Sequence, residues 1–256
     1  FGIKPAAIFQ TIFTITVVIV GFILVYGALK NGETEYLSPA FRGGVGGTMS
    51  VMIMIPFLFV GFDVIPQVAA EVKAPARAIG RIIIISIVTS VLFYLLIVFG
   101  VTTGLAPEFL KSSKLATADA MSNLFNNPMY GKILVVGGVA GIVTSWNAFI
   151  IGGSRVLYAM AIRNMIPQWF AKLHPKHKTP TNAVVFLAAL AFFAPLLGRP
   201  ALVWIVNAGG IGIVVGYLVV TIAFMKLRRS EPELPRPYRI KFPNIIGIAA
   251  IILSIS

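Results

Sequence analysis

The chain has 256 residues, 58% of them hydrophobic and 11% charged, with a mean hydropathy of +0.93. Soluble domains carry about twice that share of charge, so the composition excludes an ordinary soluble fold. Cysteine is absent, which excludes disulfides, thiolate metal sites and thiol catalysis.

Apolar runs of about 20 residues cross a bilayer as helices. Six runs qualify or come close, at residues 11–29, 51–72, 82–101, 133–161, 183–197 and 201–225, and residues 245–255 begin another. The runs are continuous rather than alternating, which excludes a transmembrane β-barrel. The expected fold is an all-α membrane protein, a polytopic helical bundle, with the lipid bilayer as its surroundings and a plasma membrane as its expected location. Phe1 is not an initiator Met and the last run is short, so the chain reads as an internal piece of a longer protein.

The net charge of +13 is a topology signal, not a nucleic-acid footprint. If the first span runs from inside to outside, external segments hold six Lys and Arg and internal ones fourteen, with Arg155 inside a span. That asymmetry obeys the positive-inside rule and sets the orientation. No nucleic-acid partner is expected.

The first span is read at residues 5–29, with Pro5 in the first turn, where its missing N–H is harmless. The connection that follows ends in a glycine cluster, residues 43–47. It lacks the Gly-Lys-Ser/Thr ending of a phosphate loop and is expected to be a flexible external linker.

The second span, residues 48–72, holds Asp63 deep inside its apolar run, with Glu71 only at the far end. Pro56, Gly61 and Pro66 interrupt its helical pattern. A carboxylate at membrane depth costs several kcal/mol unless partnered and marks a functional site. The expected geometry is a helix that stops near Phe59 and Val60, unwinds through Gly61 and Phe62, and restarts with Asp63 as its N-cap. Two plainer readings compete: Asp63 serves only as a cap, or the helix is merely kinked and Asp63 is paired with a neighbour.

The third span is read at residues 80–105. An external segment follows, with an amphipathic surface helix expected at residues 116–125. The fourth span, residues 131–162, is rich in small residues that let membrane helices approach closely. Within it, Thr144 and Ser145 are candidate oxygen ligands for a hard cation, against helix packing as the alternative. Trp146 and Phe149 are candidates for lining a cavity, against the same alternative. His174 and His177 flank Pro175 in an internal loop, and no metal set is completed by Cys or further His. Spans at residues 181–198 and 201–226 flank a tight external turn, Gly198-Arg199-Pro200, and residues 244–256 begin a last span.

Two stretches carry a specific resemblance. Phe59-Val60-Gly61-Phe62-Asp63, followed by Ala70-Glu71-Val72-Lys73-Ala74-Pro75-Ala76-Arg77-Ala78-Ile79, is similar to the sixth helix and following loop of the amino acid–polyamine–organocation family of permeases. Ser145-Trp146-Asn147-Ala148-Phe149-Ile150-Ile151-Gly152-Gly153-Ser154-Arg155, continuing to Tyr158-Ala159-Met160-Ala161 and Met165-Ile166-Pro167, resembles its eighth helix. His174-Pro175-Lys176 and Thr179-Pro180 resemble the loop after it. The resemblance implies the leucine-transporter type of inverted-repeat fold, with the last helix of the first repeat, all of the second, and the start of an eleventh helix.

It also implies that Phe57, Phe59, Val60 and Gly61 border the substrate, with Phe57 as an aromatic gate and unwound carbonyls receiving an ammonium group. Phe62 and Asp63 complete the expected substrate site. Where some relatives carry a lysine on the fifth helix this chain has Val17, so proton coupling falls to Asp63 or Glu71, or the protein exchanges substrates. The expected function is secondary transport of an amino acid or polyamine-like small molecule by alternating access. No cofactor is expected beyond H+ or Na+ coupling. The rivals are a polytopic membrane enzyme, such as an acyl or glycosyl transferase, and a channel-like subunit.

Overall fold

The computed structural model describes residues 3–39, 43–69, 75–236 and 238–255, with no side-chain description at a few helical positions, Phe57 among them. Among the described residues ten α-helices follow in chain order: α1 Ile3–Asn31, α2 Gly44–Leu58, α3 Val64–Gln67, α4 Ala76–Gly104, α5 Pro107–Ser112, α6 Ala116–Leu124, α7 Pro128–Ile162, α8 Thr181–Phe193, α9 Gly198–Ser230 and α10 Pro243–Ile255. Glu71 lies outside the described residues.

Among these residues, Pro5–Asn31, Arg77–Gly104, Pro128–Ile162 and Trp204–Ser230 are long and apolar enough to cross a membrane. Thr181–Leu197 and Pro243–Ser254 are apolar but shorter. The second apolar run is divided between α2 and α3 and so forms no single long helix. Helices are the economical answer at this depth, because lipid offers no partner for a free backbone N–H or C=O.

The helix ends show local causes. At α7, the Asn127 side chain accepts the Met129 N–H at 2.9 Å and Pro128 takes the first position, so the helix begins three residues before the expected 131. The glycines at 44–47 are not a flexible linker: α2 starts at Gly44. Thr48 and Ser50 donate to the Gly44 and Gly46 carbonyls at 3.1 and 3.0 Å, and the low polarity expected around a membrane helix offsets glycine's poor helix propensity.

α1 packs against α4, α6 and α7, α3 and α8 pack on α7, and α2 and α10 pack on α9. A buried core forms where Leu24 and Ala28 of α1 meet Met121 and Leu124 of α6. The amphipathic helix expected on the surface thus buries its apolar face. Asn31 donates to the Leu124 carbonyl at 2.7 Å and Asn123 to the Gly104 carbonyl at 2.8 Å, tying α6 to the ends of α1 and α4. Inside the bundle, Asn147 of α7 donates to the Gln10 side chain of α1 at 3.0 Å, satisfying two amides that lipid would leave unpaired.

Candidate functional site

The break falls in the second apolar run. α2 continues through Pro56 to Leu58, residues 59–63 form turns, and α3 resumes at Val64 for a single turn. The last regular bond on the α2 side runs from the Phe59 N–H to the Ile55 carbonyl at 3.3 Å. Beyond it the pattern tightens, with Val64 N–H on the Gly61 carbonyl at 3.1 Å and Ile65 N–H on Phe62 at 3.2 Å. Among the described residues, the Phe59 and Val60 carbonyls receive no backbone hydrogen bond.

Gly61 makes the break possible. Its φ is +130°, a conformation that residues with a Cβ reach only with strain. Beyond its two chain neighbours, no heavy atom among the described residues lies within 4 Å of the place a Cβ would occupy. The demand for glycine is therefore conformational, not steric.

Asp63 occupies the position before α3 but does not cap forward. Its φ and ψ, −67° and −17°, are already helical, and no N–H of α3 bonds its side chain as a cap. Instead one carboxylate oxygen accepts the Gly61 N–H at 2.9 Å, and the other faces the Gln67 amide at 3.4 Å. The acid closes the turn behind it, satisfying one of the donors the break exposes. With only four residues in α3, the helix dipole contributes little.

Two neighbouring helices supply what the sequence reading did not single out. Tyr94 of α4 donates its hydroxyl to the Leu58 carbonyl at 3.0 Å, and its ring meets Phe59 edge-on with centroids 5.4 Å apart. Tyr217 of α9 stacks on Phe62 at 5.6 Å, and its buried hydroxyl has no hydrogen-bond partner among the described residues. The available signal was the residue type. A phenol inside an apolar span needs a partner for its hydroxyl just as an acid does.

Close packing of α3 on α7 completes the frame. A Cβ at Gly152 would collide with the Gln67 side-chain oxygen and lie 3.1 Å from a Val64 methyl group. Glycine at 152 thus allows the restarted turn to sit against α7.

A cavity of about 290 Å³ opens at the break, lined by Leu58, Phe59, Val60, Gly61, Phe62, Ile65, Ser86, Ile87, Ser90 and Tyr94. The structure therefore brings Phe59, Val60, Gly61 and Phe62 together at one concavity, with Asp63 outside its lining and bonded to the Gly61 N–H. The Phe57 side chain lies outside what is described. Thr144 and Ser145 do not border this cavity: Thr144 is buried with its hydroxyl donated to the Gly141 carbonyl at 2.8 Å, and Ser145 is exposed. Trp146 and Phe149 stand elsewhere on α7, 46% and 45% exposed. In the internal loop, His174 Nδ1 accepts the Lys176 and His177 N–H groups, each at 3.2 Å, so that ring holds its own turn.

Comparison with known proteins gives a consistent picture. A family model described as amino acid permease matches residues 2–256. A branched-chain amino acid permease of Bacillus subtilis (strain 168) is 28% identical over 257 residues, covering 98% of this chain and 53% of that protein. A methylthioribose transporter of the same organism is 25% identical, covering 96% of the chain and 53% of the relative. The chloroplastic cationic amino acid transporter 7 of Arabidopsis thaliana is 30% identical over 192 residues, 72% of this chain and 32% of its own length. The chain thus spans about half the length of the bacterial relatives it matches.

Proposed function

Because this chain belongs to the amino acid permease family, we propose that it carries amino acids or related amines across a plasma membrane by alternating access, binding them at the break between α2 and α3. The observation that supports this is the turn at residues 59–63 beside a 290 Å³ cavity, with the Phe59 and Val60 carbonyls uncommitted among the described residues. Broken helices at bilayer depth present such polar backbone groups to substrates. A substrate ammonium donates to those carbonyls, and Phe59 and Phe62 shield it from lipid.

Tyr217 of α9 backs Phe62 from outside the cavity lining and Tyr94 steadies the end of α2. Among the described residues the cavity lining carries no charged side chain, which favours a neutral substrate side chain over a cationic one. The relatives are named as permeases and transporters, and the proposed cycle forms no covalent intermediate, so it is carriage and not enzymatic catalysis. In this reading residues 48–226 are the second repeat of the leucine-transporter-type fold and rock about Gly61. The drive is a gradient of H+ or Na+, or the exchange of one substrate for another.

Counterflow in proteoliposomes tests the proposal. Vesicles loaded with unlabelled substrate should accumulate labelled amino acid or polyamine transiently, and the rate should saturate. Flux that is linear in concentration and shows no counterflow would identify a channel instead.

A further inference from the structure

We propose a binding site for an anionic phospholipid of the inner leaflet in the groove between α9 and α10. The proposal is independent of the transport reading. The groove encloses about 470 Å³ and is lined by Ile222, Met225, Lys226, Arg229, Ser230 and Ile251.

Its shape follows from the hairpin. α9 ends at Ser230 and α10 begins at Pro243, and the two helices pack together. Met225 lies where a Cβ on Gly247 would stand, 2.9 Å from it, so the backbones approach closely at that level. Ile222 is eight residues before Ser230 and Ile251 eight residues after Pro243. At 1.5 Å per residue both lie about 12 Å below the loop ends of their helices. The groove therefore runs from an apolar floor to a basic rim over about 12 Å, the span from the upper acyl chain to the phosphate of a lipid.

The rim cations are free for such a ligand. Arg228 is taken up over the Phe224 ring at 5.0 Å. Arg236 folds back onto the helix end, donating to the Glu231 and Pro232 carbonyls at 2.7 Å each and to the Leu227 carbonyl at 3.2 Å. Lys226 and Arg229, both exposed, make no ion pair among the described residues and line the groove. Glu231 and Glu233 follow directly, yet six basic residues stand against these two acids between 226 and 241. The positive-inside orientation puts this rim at the cytoplasmic surface, where anionic lipids reside. A basic pocket between helices on that side suits a lipid phosphate, and the apolar floor distinguishes a lipid from free phosphate.

The test uses the protein in uncharged detergent, titrated with dioleoyl phosphatidylglycerol or dioleoyl phosphatidylcholine, with bound lipid counted by native mass spectrometry. Phosphatidylglycerol should bind more tightly. The double variant Lys226→Gln/Arg229→Gln should weaken it about 30-fold, from about 1 kcal/mol per basic residue at 1.4 kcal/mol per tenfold. Lys176→Gln/Lys178→Gln, with the same charge removed from another internal loop, should leave binding close to the parent value. Ile251→Trp should weaken it by filling the floor while every charge remains. Glycerol phosphate should not displace the lipid. Equal losses in both double variants would reduce the effect to diffuse attraction. Unchanged binding in Lys226→Gln/Arg229→Gln, or full displacement by glycerol phosphate, would overturn the site.

Discussion

Replacing Gly61 with alanine tests the central geometry with the smallest possible side chain. Beyond its chain neighbours, the space around a new Cβ is empty to 4 Å among the described residues, so no collision opposes it. What opposes it is φ, at +130°, where a residue with a Cβ is strained by about 1–3 kcal/mol. If the broken form is the one that binds, that strain becomes a loss of affinity of about 5- to 150-fold. Gly46→Ala is the matched control. It also has open space around its Cβ, but lies within α2, where alanine favours the helix by about 1 kcal/mol. Substrate affinity is measured by scintillation proximity on the purified variants, with insertion checked by yield and gel filtration. Parent-like affinity in Gly61→Ala would refute the requirement for the break. A similar loss in Gly46→Ala would show that the effect is not conformational.

Other substitutions probe the frame around the turn. Asp63→Asn keeps an oxygen for the Gly61 N–H but removes the charge; impaired counterflow with intact insertion is expected, and unchanged uptake would reduce Asp63 to a structural role. Asp63→Ala should be worse by about 1–3 kcal/mol, since it also strips a donor of its partner, and a melting curve beside the Asn variant shows the difference. Tyr94→Phe removes the hydrogen bond to Leu58 and keeps the ring, so a small loss of about 0.5–1.5 kcal/mol is expected; a loss of stability as large as that of Tyr94→Ala would place the contribution in the ring. Leu24→Ala, in the fully buried core, should lower stability by about 2–5 kcal/mol while substrate affinity holds, read from paired thermal and binding titrations.

The sequence alone determined that this chain lies in a membrane and where its second span breaks. These are consequences of composition: too little charge for water, and glycine and prolines around one acid within an apolar run. It could not determine what Asp63 holds. That carboxylate turns back to Gly61, a choice set by the local path of five residues and not by residue type. Nor could it bring Tyr94 and Tyr217, from α4 and α9, to the break. The physical reason lies in the solvent. In water an amphipathic stripe shows which face of a helix is buried, but in lipid both faces are apolar, so the side that meets a neighbour leaves no periodic trace. Only the tertiary packing decides that Ser86, Ser90 and Tyr94 of α4 share the cavity at the turn, while α7 and α9 support the turn from outside its lining.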